Sequence, residues 1–147
     1  MKQNLRLFTV LVVLLAFSSS CKEKVTPIKD RLSKSWVARI VKEDGNQVYS
    51  RGGSSNTKPG YENFKLTLSS SGSATLSDIN DTFIGTFTAT ESSITLTGLT
   101  PEPTGSSGTL VYTIVSLAGD DAELQLKMNE PYPKTGNTIN EYTLVPQ

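Results

Sequence analysis

The chain has no histidine and a single cysteine among its 147 residues. Without histidine there can be no Ser/His/Asp triad, no Cys/His dyad, no imidazole base and no His-containing metal site. One cysteine closes no internal disulfide and builds no thiolate zinc centre. A basic surplus is missing too, because 14 Lys and Arg balance 14 Asp and Glu, whereas a nucleic-acid binder carries excess positive charge. Carboxylates are present, but nothing in their spacing selects the pair that must flank a sugar bond in a glycosidase. The Gly/Ser loops lack a P-loop lysine and a following helix, so they are not phosphate cradles. These absences leave a single domain that is expected to be non-catalytic, with no cofactor, no metal and no nucleic-acid partner.

What is present begins at the N-terminus. Lys2 and Arg6 precede an apolar run from Leu7 to Phe17, eleven residues broken only by Thr9, and Ser18-Ser19-Ser20 leads into Cys21. These are the three parts of a secretory signal peptide. Eleven helical residues rise about 16 Å, half of a hydrocarbon core of about 30 Å, so the run is too short for a permanent span. Small residues followed at once by cysteine resemble the bacterial lipoprotein signal, and the style of the chain is similar to lipoproteins of Bacteroidetes. The resemblance implies removal of residues 1–20 and acylation of Cys21 with palmitate-class chains. It also implies attachment to the cell envelope, on the periplasmic or the outer face of the outer membrane. Residues 21–31 are charged and contain Pro27, which reads as a tether between the anchor and a domain over 32–147.

From Leu32 onward the pattern has period two, with turn chemistry every eight to twelve residues. Trp36, Ala38 and Ile40 alternate with Val37, Arg39 and Val41, and Asp44-Gly45-Asn46 is a hairpin signal. Phe64, Leu66 and Leu68 share a face. So do Phe83, Gly85, Phe87 and Ala89, and again Leu110, Tyr112 and Ile114. Leu124, Leu126 and Met128 follow a turn at Gly119-Asp120-Asp121, and Ile139 to Val145 makes the last strand. A short helical turn over Ile28 to Lys34 is the exception to an all-β reading with eight to nine strands. Alternation with one dry face fits an up-and-down antiparallel β-barrel or a β-sandwich.

Leu32-Ser-Lys-Ser-Trp36 at the first strand resembles the opening of lipocalin-like barrels. The likeness continues in outline through Tyr112-Thr-Ile-Val115, the Leu124/Leu126 strand and Glu141-Tyr-Thr-Leu144. It implies a barrel whose Trp36 caps the closed end and whose interior takes a small apolar ligand or envelope component. Trp36, Phe64, Phe83, Phe87, Tyr112 and Tyr142 are the candidate ligand-binding residues. The same side chains would also suit a barrel packed solid, serving as a structural or protein-interaction module.

Two further patterns carry chemistry. Asp78-Ile-Asn-Asp81 and Asp120-Asp121 place carboxylates in turns, where such residues bond their own backbone or offer oxygens to calcium. Asp81-Thr82-Phe83 resembles the O-glycosylation site of Bacteroidetes, with Thr82 as acceptor. Charge is divided along the chain: residues 21–65 hold ten bases and five acids, whereas 66–147 hold two bases and nine acids. In a meander this split survives folding. Either it closes basic early strands against acidic late ones, or Lys22, Lys24, Lys29, Arg31 and Lys34 orient the domain on an anionic surface. Acyl labelling in cells is expected to mark the chain and to vanish in Cys21→Ser; labelling that persists in the variant rules the anchor out.

Overall fold

The computed structural model describes residues 26–147. The expected signal peptide, Cys21, Lys22 and Lys24 lie outside the described residues. A five-residue helix, α1 (Ile28–Leu32), precedes nine strands: β1 (Ser35–Glu43), β2 (Asn46–Ser50), β3 (Lys65–Leu68), β4 (Ser73–Asp78), β5 (Asp81–Ala89), β6 (Ser93–Thr100), β7 (Leu110–Leu117), β8 (Leu124–Met128) and β9 (Asn140–Pro146). Single 3-10 turns occupy Pro59–Asn63 and Pro133–Thr135. The α1 helix spans the boundary drawn at residue 31, and partly buried Ile28 and fully buried Leu32 pack on the core.

All pairings are antiparallel, and β3 to β9 run as a meander. Strand β1 joins both ends of that meander. Its first residues, Ser35–Val37, pair with β3, while Trp36 to Glu43 pair with β9. The sheet therefore closes into an eight-stranded up-and-down barrel, which decides against the sandwich. Strand β2 is the extra ninth; it pairs with Ile40 to Glu43 of β1, above the stretch used by β3. Its far side is covered by the returning 51–58 loop. There the Asn56 amide bonds both the N–H (2.7 Å) and the C=O (2.9 Å) of Ser50, and the Lys58 N–H reaches Val48 O.

Three bulges shift the period-two pattern where the barrel bends. In β1 an extra residue at Arg39 separates the Ala38–Leu144 and Ile40–Thr143 pairs. The phase therefore reverses: Val41 and Glu43 are buried and Ile40 moves to the outer wall, contrary to the Trp36/Ala38/Ile40 face expected from alternation. In β7 the same device at Val115 leaves that side chain outside. In β6, Gly98 adopts φ +62° and Leu99 turns inward.

The α1 end of the barrel is shut by apolar packing and one buried hydrogen bond. The Trp36 indole N–H donates to Leu32 O at 2.9 Å, and both residues are fully buried. Arg31 reaches across to the β7–β8 turn, 2.7 Å from Asp121, and donates to Ala118 O. Lys34 also approaches Asp121, and Arg39 pairs with Glu123. The sequence's charge split is thus partly closed inside the fold, with early bases on late acids. Two of the five bases considered for surface orientation, Arg31 and Lys34, are engaged in this way.

Gly85 faces the β6 bulge so closely that a Cβ there would meet Thr97 O at 2.5 Å, a backbone atom that cannot yield cheaply. Gly85→Ala is expected to destabilise the barrel by about 1–3 kcal/mol, read from chemical denaturation midpoints at unchanged m-value.

Candidate functional site at the barrel mouth

The candidate ligand residues all belong to one buried core cluster. Trp36, Phe64, Phe83, Phe87, Tyr112 and Tyr142 are all buried, none more than 3% exposed. Tyr142 is the hub. Its ring stacks on Phe64 with centroids 4.6 Å apart and meets Tyr61 and Tyr112 edge-on at 6.3 and 6.1 Å. Tyr49 continues the cluster through Tyr61 at 6.4 Å. Aromatic pairs in this range contribute about 0.5–1.5 kcal/mol each beyond area burial. An eight-stranded barrel has room for side chains or for one small ligand, and here aromatic and aliphatic groups occupy the axis.

Among the described residues, three surface hollows stand out. One of about 240 Å³ runs on the outer wall between Ile40, Val115, Gln125 and Thr143. One of about 160 Å³ sits between the 105–111 segment and Met128–Pro133. One of about 350 Å³ is framed by Tyr49, Arg51 and the 52–62 loop. Of the six candidate ligand residues, only Tyr142 borders any of these three.

The chemically distinctive groups gather at the opposite end from α1, where the β1–β2 turn, the Pro59–Asn63 turn, the β4–β5 turn and the β8–β9 connection converge. Two networks lie side by side. In the first, the buried Glu43 accepts the Tyr61 hydroxyl proton at 2.7 Å and pairs with Lys58. The Asn140 amide then donates to Tyr61 Oη (3.2 Å) and to Tyr142 Oη (3.0 Å). Thr138 and Thr135 donate to Asn140 Oδ1 at 2.8 and 3.2 Å, and Tyr142 turns its hydroxyl toward Met128 Sδ. Every buried side-chain polar atom of this first network has a partner, which is what permits its burial.

The second network is less satisfied. Asp78 is 1% exposed and neither carboxylate oxygen has a well-formed hydrogen bond, although the buried Tyr132 hydroxyl faces it. Lys134 Nζ lies 3.5 Å from Asp78 Oδ2 and 3.0 Å from Asp81 Oδ2, and donates to Asp78 O at 2.6 Å. Burial raises the Asp78 carboxyl above its ordinary range, and Lys134 draws it partly back. The lysine ammonium occupies the position between Asp78 and Asp81 that a cation would need. No cluster of metal-ligating side chains is present among the described residues. At the other carboxylate turn, Asp121 is taken by Arg31 and Lys34. Thr82, the glycan acceptor suggested by sequence, is exposed at the start of β5 opposite Ser77.

Sequence reasoning missed most of this mouth. Asn140 was within reach, because it alternates with Tyr142 and Leu144 on one face of the last strand. Glu43 was not, since its inward position depends on the Arg39 bulge. Lys134 and Tyr132 lie in a Pro-containing connection whose path no period describes.

No family model and no curated protein matches the chain. A solved structure of an uncharacterized protein from Bacteroides eggerthii DSM 20697 is similar over 79% of this chain and 99% of its own, at 12% identity and a TM-score of 0.46.

Desolvation holds the hydroxyls of Tyr61, Tyr112, Tyr132 and Tyr142 protonated well past the ordinary tyrosine range. A group whose pKa is raised on folding contributes stability below its unfolded pKa, about 10 for tyrosine, and loses it as pH climbs further. Four of the five tyrosines should therefore ionise only as the barrel opens. In an alkaline titration, most tyrosinate absorbance should rise together with the loss of β-sheet circular dichroism, not as a separate step near pH 10.

Proposed function

We propose that the chain is a lipid-anchored protein of the bacterial cell envelope whose lipocalin-like barrel works without catalysis, as a structural or protein-interaction module. The filled interior carries this reading. Side chains from the strands interlock around Tyr142, α1 shuts one end, and the Glu43 and Asp78 networks shut the other. A small apolar ligand inside the barrel would have to displace these packed groups, and voids in such interiors are few. The outer wall offers what a partner would use. Ile84 and Val115 are 61% and 58% exposed, and Val115 borders the 240 Å³ hollow with Ile40 and Thr143.

The anchor rests on Cys21, through the resemblance of residues 1–21 to a lipoprotein signal, with the outer membrane as its place. The described chain enters the barrel at the α1 end. A membrane attached there through the tether would leave the mouth directed away from the bilayer.

Native mass spectrometry of the protein purified from its own membrane is the test. The expected species is the acylated chain, alone or with a protein partner. A stoichiometric small apolar molecule travelling with it would overturn the packed-module reading in favour of a ligand carrier.

A further inference from the structure

Lys134 and Asp78 differ from the other ion pairs of the barrel in ways that bear on covalent chemistry. The outer-wall pair Lys127–Glu141 has side chains 49% and 36% exposed, so water screens it. For Lys134 and Asp78 the values are 16% and 1%. The amine lies 5.2 Å from the centre of the Phe83 ring, and its contact with the Asp78 main-chain carbonyl at 2.6 Å holds it against that residue. The carboxyl has no well-formed hydrogen bond at either oxygen, with the Tyr132 hydroxyl and the Lys134 ammonium beside it.

Two neighbours supply what an acyl transfer to nitrogen requires. Asp81 Oδ2, 3.0 Å from the amine, can accept and return protons. The Tyr132 hydroxyl, buried and facing the Asp78 carboxyl, can donate to an oxygen that gains negative charge. Burial favours the neutral carboxylic acid at Asp78, the form whose carbonyl carbon an amine can attack. Holding the two groups together in a dry, fixed geometry replaces the encounter that makes amide formation slow in water.

We propose that Asp78 and Lys134 condense into an intramolecular isopeptide bond that staples the β4–β5 hairpin to the β8–β9 connection across the barrel mouth. Asp81 first relays one ammonium proton to the Asp78 carboxylate, leaving a neutral amine beside a carboxylic acid. The lone pair of Lys134 Nζ attacks Asp78 Cγ, forming the C–N bond, while Tyr132 donates to the developing oxyanion. Asp81 then carries a second proton from nitrogen to the departing hydroxyl; the C–O bond breaks and water leaves. The ion pair becomes one amide and one water, with no oxidant, cofactor or activated donor. The amide oxygen keeps the Tyr132 hydroxyl as its donor. The inference does not rest on the anchor or on the module reading.

Tryptic mapping of the purified full chain reads the result directly. Without the bond, trypsin cleaves after Lys134, and the peptide carrying Asp78 is recovered separately from the one ending at Lys134. With it, cleavage at Lys134 is blocked and the 66–127 and 128–147 segments are recovered as one branched species, lighter than their sum by about 18 Da, one water. Lys134→Arg keeps a cation at the mouth and should release the two segments separately, whereas Asp81→Ala should slow joining and leave a mixture. Recovery of separate peptides from folded wild-type protein would overturn the proposal whatever the variants do.

Discussion

The pairing of β1 with two partners that are far apart in the chain is the constraint from which the rest follows. By taking β3 on one side and β9 on the other, β1 turns a meander into a closed surface with no free edge around the ring. Closure gives each strand an inside and an outside, and it sets the inner diameter by the number of strands. With eight strands, a ring of aromatic residues is enough to occupy the axis. Tyr142 sits where Phe64, Tyr61 and Tyr112 can all reach it.

Closure also explains why the polar groups at the mouth are buried. Strands in a barrel cannot end flush, because the bulges and tilt that let the sheet curve carry some end residues inward. Glu43 is one of these, brought in by the bulge at Arg39, and Asp78 and Asn140 are at the ends of their own strands. A buried carboxylate is tolerated only when paired. Each of the two receives a lysine from a connecting segment, Lys58 or Lys134, whose backbone also roofs the barrel. The pairs are not equivalent. Glu43 is further bonded by Tyr61 within a saturated chain of donors and acceptors, whereas Asp78 has no well-formed hydrogen bond at its carboxylate.

The two ends of the molecule use different physics. At the α1 end, an apolar plug of Leu32 and Trp36 is reinforced by ion pairs near the surface, Arg31 and Lys34 with Asp121 and Arg39 with Glu123. Pairs of that kind contribute about 0–1 kcal/mol each, so they orient the plug more than they stabilise it. At the mouth, the polar groups are enclosed and their hydrogen bonds weigh more, because an unmade bond there leaves a desolvated donor or acceptor. The outer wall between β3 and β7 carries threonine and serine and no lysine or arginine beyond Lys65, in keeping with the strand propensity of branched side chains on a half-wet surface.

The sequence by itself determined the strands, their approximate ends and, where no bulge intervenes, which side chains point inward, because alternation with period two is a local property of a pleated chain. It placed Trp36, Phe64, Phe83, Phe87, Tyr112 and Tyr142 on the dry face correctly. Alternation alone left barrel and sandwich open, and the likeness around Leu32 to Trp36 favoured the barrel, which the pairing of β1 with β9 across the whole domain closes. It misplaced Ile40, because an inserted bulge residue changes phase without leaving a compositional mark. The tertiary structure alone decided that the inward aromatics meet one another across a narrow axis. It alone brought Lys134 beside Asp78, 56 residues away in the chain. Distances between side chains on different strands depend on closure, register and curvature, and none of these is encoded within the reach of a single turn or strand.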